Sequence, residues 1–323
     1  MQSKLPVLVL AFNRVDKLQE CLESVMTAGF TNIYISSDGP RSQSPNECIE
    51  VHALIRKLEN SKKISACKIS KVNSGTLDAI FSGIDWFFEN VDYGLIIEDD
   101  LKLASNSSQI VENLMTIIIS SEELGSFCLY DPLRGIEPME KQVRQSRLFF
   151  SWGWGTTAQK WRSRTSTFSQ ISNLRIFLIL LKIMNPLQAL RYLQEIIVNQ
   201  RNEKNSRNLC NWDLYWEFTH WRKSWRTLLS VLPCIENTGW GEDATHTKNK
   251  PSSYKSLEAQ DSSISQSVYI SDYSRLDKYL DRKIIRRSRK INELSAIRNM
   301  LKLGAKLSQI KIILSRSISG FKD

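Results

Sequence analysis

Leu95-Ile96-Ile97-Glu98-Asp99-Asp100-Leu101-Lys102-Leu103 sets a short apolar run directly against three carboxylates. Such a run reads as a buried strand whose tip leaves the core, because Glu and Asp are poor strand formers and unpaired buried charge is costly. The triplet therefore belongs at the carboxyl edge of a sheet, where open α/β folds take their ligands. Three carboxylates crowded there repel one another unless a cation lies among them, and Mg2+ or Mn2+ prefers oxygen ligands of this kind. Taken alone, the triplet reads more readily as a solvated acidic turn, so the surrounding chain has to decide.

Upstream, the pattern alternates strand and helix. Pro6 to Ala11 is a continuous apolar run, and Leu18, Cys21, Leu22 and Val25 then recur at helical spacing until Gly29. Ile33 to Ser36 is a second strand ending in Ser37-Asp38-Gly39-Pro40, and Val51, Leu54, Ile55 and Leu58 mark a second helix. Ile64 to Val72 reads as a third strand; Asn73-Ser74-Gly75 opens a helix with Ser74 as its expected cap. This β-α-β-α-β-α-β order implies a parallel sheet covered by helices on both faces. Each strand leaves a polar residue at its exit: Asn13 and Arg14, then Asp38, then Asn73, then the acidic triplet. Four such exits describe one rim of one pocket. No Gly-x-Gly-x-x-Gly follows the first strand and no Gly-Lys-Ser/Thr occurs, which argues against a dinucleotide enzyme or a P-loop NTPase.

Composition sets outer bounds. The 323 residues, 41% hydrophobic and 24% charged, suit a globular chain with a large core. Six cysteines (21, 48, 67, 128, 210 and 234) show no C-x-x-C spacing and are expected to be reduced, which points to the cytosol. The apolar run after Lys4 contains Pro6 and leads into Asn13-Arg14, so it reads as a strand rather than a secretion signal. Ile176 to Met184 is interrupted by Lys182 and stopped by Pro186, too short to span a bilayer. The net charge of +10 resides from Ser274 onward, where fourteen Lys/Arg face four Asp/Glu.

Further motifs follow the triplet. Residues 105–122 read as a helix, and Ser151-Trp152-Gly153-Trp154-Gly155 interleaves aromatics with glycines, as a sugar wall or a packed hairpin would. Residues 162–209 look mostly helical, with Asn199 to Asn208 a polar loop. Asp213, within Asn211-Trp212-Asp213-Leu214-Tyr215-Trp216, is a carboxylate among indoles, costly unless paired or functional. His52 and His220 fit structural roles, whereas His246, in the polar loop Glu236 to Thr247, is the better ligand candidate.

Together, Pro6 to Arg14, Ser37-Asp38, Ile96 to Asp100, Ser151 to Trp154, Trp212-Asp213 and Gly241 to Thr247 resemble a nucleotide-sugar glycosyltransferase of the GT-A fold. The likeness is to the bacterial polysaccharide type similar to N-acetylglucosaminyltransferase I, and covers roughly residues 5–250. It implies a Rossmann-like, mixed and mainly parallel sheet flanked by helices. Ala11 and Phe12 would line the base pocket, Arg14 and Asp38 would contact the nucleotide, and Asn73 and Gly75 would complete its rim. Glu98-Asp99-Asp100 would stand for the family's D-x-D signature, with Asp100 on Mn2+ or Mg2+ and Asp99 and Glu98 serving ribose and metal waters. Trp154 would sit in the donor-sugar or acceptor wall, His246 would add a metal contact, and Asp213 would be the general base of an inverting transfer. Asn13 and Leu214 depart from the animal enzyme, which carries carboxylates there; Glu217 and Glu242 remain alternatives to Asp213.

The implied organisation is a glycosyltransferase domain over residues 1–255, split into a nucleotide-binding half (1–103) and an acceptor half (104–255) with a helical insertion at about 162–209. A basic helical tail over 256–323 would follow; its Leu294, Ile297, Leu301, Arg298 and Lys302 have the spacing of an amphipathic helix suited to an anionic membrane surface, or of a solvated helix packed on the domain. The expected partners are a nucleotide-sugar donor, a UDP-sugar foremost, and a glycan or lipid-linked acceptor, without nucleic acid. The expected setting is cytoplasmic, peripheral on the inner membrane face, in surface-polysaccharide synthesis. Two rivals stand beside this reading: a sugar-nucleotide nucleotidyltransferase, and a non-catalytic basic protein that binds membranes or nucleic acid.

Overall fold

The computed structural model describes residues 2–105, 107–133, 142–204, 211–240 and 274–288. Four apolar runs form adjacent parallel strands: β1 (Val7–Ala11), β2 (Ile33–Ser37), β3 (Ala66–Ile69) and β4 (Tyr93–Glu98). Three amphipathic helices connect them, α1 (Val15–Thr27), α2 (Ile49–Asn60) and α3 (Thr76–Asn90). The expected third strand shortens to four half-buried residues because β3 is the sheet's edge and buries no full face. A short strand β5 (Leu101–Leu103) and helix α4 (Ser107–Ser120) follow the acidic triplet.

The second half extends the same sheet. Strands β6 (Leu124–Cys128), β7 (Val143–Ser146), β8 (Trp154–Thr157) and β9 (Arg226–Ser230) complete the order β3-β2-β1-β4-β8-β6-β9-β7. β8 runs antiparallel to both β4 and β6, β9 is parallel to β6, and β7 is antiparallel to β9. The sheet is therefore mixed and mainly parallel, the Rossmann-like GT-A arrangement that the resemblance implies. A separate two-stranded ribbon joins β5 to β10 (Ile235–Asn237).

Period-two alternation divides the core between two faces. Val7, Val9, Leu95 and Ile97 point toward α1, α2 and α4, whereas Leu8, Leu10 and Ile96 point toward α3 and the later helices. Those helices are α5 (Ala158–Arg162), α6 (Asn173–Leu181), α7 (Pro186–Lys204), α8 (Trp212–Lys223) and α9 (Arg275–Ser288). Asn199 to Lys204 continue α7 rather than forming a loop, because Glu203 is held there by the Phe168 and Ser169 amides and the Tyr215 hydroxyl. No helix among the described residues is long and apolar enough to cross a membrane.

The structure also places the start of the basic segment differently. α9 buries Leu280, Ile284 and Ile285 in the α3-side core. Its Asp281 accepts from Arg144 at 3.1 Å, from the Ser146 hydroxyl at 2.6 Å and from the Arg147 amide at 2.8 Å. Arg144 is in turn paired with the fully buried Asp131 beyond β6. This helix is thus packed into the fold rather than lying along a free tail; residues 289–323 lie outside those described.

Candidate active site

Chain order fixes where the site lies. From β1 the chain moves outward through β2 and β3, then returns to place β4 on the other side of β1. That reversal between β1 and β4 is a topological switch point, the position at which open α/β sheets bind ligands beyond their carboxyl ends. Leu10 registers with Glu98, and the Asp99 amide donates to the Leu10 carbonyl at 2.9 Å. The residues beyond both strands are therefore forced together.

Arg14, just beyond β1, donates to Asp99 at 2.8 Å and to Asp100 at 2.9 Å. Asp99 is 5% exposed and also accepts the Phe12 amide at 3.2 Å. Burial, offset by Arg14, raises its carboxyl to about 6. Burial together with the charges of Asp100, Asp99 and Asp213 pushes Glu98 up to about 8. Asp213 lies in the first turn of α8, near enough for its charge to add to the upward push on Glu98. Its side chain is exposed rather than embedded: Trp212, Leu214, Tyr215 and Trp216 bury around it while it faces outward.

Asp100 is held from the far side by the β5–β10 ribbon. Thr238 donates its amide at 2.8 Å and its hydroxyl at 3.1 Å to the Asp100 carbonyl. Gly239 follows, and a methyl group there would lie 2.2 Å from an Asp100 carboxylate oxygen. The backbone thus passes directly against the carboxylate, and the ribbon sets its position.

Several expected roles shift. Asp38 is 8% exposed, and its oxygens accept from the Gly39 and Ser74 amides, the Ser74 hydroxyl and Asn73 Nδ2. It fixes the loop between β3 and α3. Asn73 gives its amide protons to Asp38 and to the Gly39 carbonyl, each at 2.9 Å. Ser74 is not the cap; Gly75 takes that position with φ of 83°, a backbone state that favours glycine. Ala11 packs into the α1-side core. Phe12 lies half-buried under the Arg41 guanidinium, 5.3 Å from its centroid. Glu47 holds that guanidinium, and hydrogen bonding to Arg41 in turn holds Glu47 near 2.

Trp154 is the clearest correction. It is 1% exposed, stacked on Trp212 at 5.8 Å and set edge-on to Phe149, so it is core and cannot wall a sugar. The available ring is Trp152, because Gly153 at φ 59° turns the chain off the strand between them. Sequence reasoning set Trp152 in a stretch that could wall a sugar but assigned the role to Trp154, and it did not single out Tyr130, Trp240 or Arg41; a glycine between two tryptophans was the one signal that they part company. His220, read as structural, is buried between Trp216 and Ser126. His246 and Glu242 lie outside the described residues, whereas Glu217, half-buried, accepts the Phe149 amide at 3.5 Å.

Among the described residues no group of three or more His, Cys, Asp or Glu side chains is arranged to hold a metal. In charge, however, the donor set fits a divalent cation: Asp99 and Asp100 share the single guanidinium of Arg14, and burial with the charges of Asp100, Asp99 and Asp213 drives Glu98 upward.

No protein-family profile and no curated protein matches the chain. Among solved structures it is similar to GalNAc-T7 with UDP, GalNAc and Mn2+ (7% identity, 73% of this chain and 44% of that one, TM-score 0.43). It is also similar to mouse xyloside xylosyltransferase 1 in its apo form (12%, 74% and 87%, 0.35) and to UDP-glucose pyrophosphorylase complexed with UDP-glucose (11%, 71% and 90%, 0.35). The chain spans 44% of the length of GalNAc-T7 and 28% of that of S. aureus TarS, a further match. Likeness this distant carries no functional argument, which rests on the residues at the β1–β4 switch point.

Proposed function

We propose that the chain is an inverting glycosyltransferase that moves a sugar from a nucleotide-sugar, a UDP-sugar foremost, to a hydroxyl of a glycan or lipid-linked acceptor in surface-polysaccharide synthesis. One observation carries this reading. Arg14 pairs with Asp99 and Asp100 at the switch point, Glu98 precedes them at the end of β4, and the exposed Asp213 at the start of α8 is near enough for its charge to act on Glu98, so an acidic cation site and a separate carboxylate neighbour one another. A ligand that pairs an anionic diphosphate with a hydroxyl to be deprotonated uses both.

In this reading Arg14 fixes Asp99 and Asp100 and lies along the phosphates, and Phe12 with Arg41 bounds the base. Asp100, with Glu98 beside it, would hold Mn2+ or Mg2+, which when bound supplies positive charge for the departing diphosphate. Asp213, exposed at the start of α8, takes the proton from the acceptor hydroxyl as it attacks the anomeric carbon from the far side, inverting it. His246 is the proposed further metal contact, and residues 289–323 the proposed membrane-facing segment. A nucleotidyltransferase is less apt, since β1 runs through Asn13 and Arg14 straight into α1 without a glycine-rich triphosphate loop.

Calorimetry with UDP, with and without Mn2+, tests the assignment on wild type and Asp100→Ala. Tight UDP binding that needs Mn2+ and is lost in the variant is the expected result. Metal-independent binding, or binding unchanged in Asp100→Ala, would rule the assignment out. A hydrolysis screen over UDP-, GDP- and dTDP-sugars then identifies the donor.

A further inference from the structure

The same edge of the sheet carries a second group of side chains that neither the diphosphate nor the base uses. β6 and β4 both pair antiparallel with β8, so they run in the same direction and Tyr130, beyond β6, lies at the edge that holds Glu98 to Asp100. β8 begins at that edge, which brings Trp152 there as well. The ribbon completes the group, for Gly239 passes against Asp100 and Trp240 comes next.

The rings converge. Tyr130 and Trp152 have centroids 4.3 Å apart at 44°, and Trp240 meets Trp152 edge-on at 5.9 Å and 75°. All three are half-buried, and Tyr130 and Trp152 are braced from below by the α1-side core. A set of rings meant only for packing would be covered, as Trp154, Trp161 and Trp216 are. These instead stand braced and partly open beside carboxylates.

We propose that Tyr130, Trp152 and Trp240 form an acceptor platform and that the group it takes is a pyranose ring, a reading that rests on the proposed sugar transfer only for the word acceptor. A pyranose has an apolar C–H face and a rim of hydroxyls. The first suits a π-surface, and the second suits the carboxylates at the same sheet edge, where Gly239, the neighbour of Trp240, passes against Asp100. An aliphatic chain would match the rings but would strip water from the carboxylates without replacing its hydrogen bonds.

Saturation-transfer NMR on the full chain, with methyl pyranosides of glucose, galactose, N-acetylglucosamine and N-acetylgalactosamine, tests the platform. At least one pyranoside should receive saturation through its ring C–H protons. Its affinity should fall at least about fivefold in Trp152→Ala and in Trp240→Ala, while Trp152→Phe keeps most of it. UDP affinity should stay within about twofold in all three variants, since the rings belong to the other subsite, and that also shows they fold. Absence of pyranoside binding in a chain that binds UDP would overturn the platform, as would pyranoside binding indifferent to both alanine variants. Pyranoside binding without UDP binding would leave the platform standing and remove the transferase reading instead.

Discussion

Gly239→Ala offers a test that separates site geometry from stability. The added methyl would lie 2.2 Å from the Asp100 carboxylate oxygen, 2.8 Å from its carboxyl carbon and 3.0 Å from its Cβ. Ordinary contact begins near 3.4 Å, so the carboxylate must retreat by more than an ångström. The Asp100 carbonyl is tied down by Thr238, so the side chain alone can give way, and its 2.9 Å bond to Arg14 breaks. Rotating one flexible carboxylate on a part-exposed residue costs little folding energy, within about 1 kcal/mol. Misplacing a catalytic group by about 1 Å costs on the order of 100-fold in rate. The variant should therefore melt close to wild type yet lose about two decades of donor turnover and most of its metal-dependent UDP affinity. Thermal unfolding and a coupled UDP-release assay measure both. A folded Gly239→Ala protein with wild-type turnover would refute the placement of Asp100 in the reacting centre.

Asp213→Asn should fold normally and lose about 10²–10⁴ in transfer rate, read with donor and acceptor present; near-normal turnover assigns the base elsewhere. His220 gives a pH prediction. Its Nδ1–H donates to the Trp216 carbonyl at 3.0 Å and Nε2 accepts from Ser126 at 2.9 Å, which fixes the neutral ring, and burial lowers its proton affinity to about 4. The unfolded imidazole binds its proton near 6.5, so the contribution is complete above that pH and is lost as pH falls toward 4, about 3 kcal/mol in all. Glu98 and Asp99, both raised, gain stability over the same range, so urea melts from pH 7 to 4 isolate His220 as a difference: wild type should lose about 3 kcal/mol relative to His220→Gln as pH falls. Asp281→Ala should cost about 3–5 kcal/mol by leaving buried Arg144 short of a partner, and a variant as stable as wild type would show that α9 does not belong to the fold.

The parallel half of the sheet was legible because its strands are apolar runs bounded by turn residues, and a fully buried strand has few other ways to read. The second half was less so. β8 and β6 contain glycine, serine and threonine, whose burial follows from neighbours distant in sequence: Thr156 donates to the Gly125 carbonyl, and a methyl at Gly155 would collide with Phe127. α9 was misread for the same reason. Six basic residues dominate its composition, yet Asp277 and Asp281 are what dock it, one capping its first turn through Ser274 and the other meeting Arg144. A ligand for that aspartate 137 positions away leaves no trace in local sequence.

The site shows the same division between chemistry and geometry. Residue type and strand-exit position were enough to bring Arg14, Asp99 and Asp100 together, because parallel neighbours must share an edge. They could not say which polar groups at that edge are spent internally. Asp38 accepts from two amides, a hydroxyl and Asn73, which hold a tight loop whose Gly39 sits against the Val72 backbone. Trp154 and Trp152 share strand parity, which predicts one face for both; a single left-handed glycine sends one into the core and leaves the other half-buried at the sheet's edge. Asp213 escapes its buried neighbours because the first turn of a helix lets one side chain face out while those on either side face in. What makes this edge a reaction site is therefore the pairing of a carboxylate left outward with others forced inward.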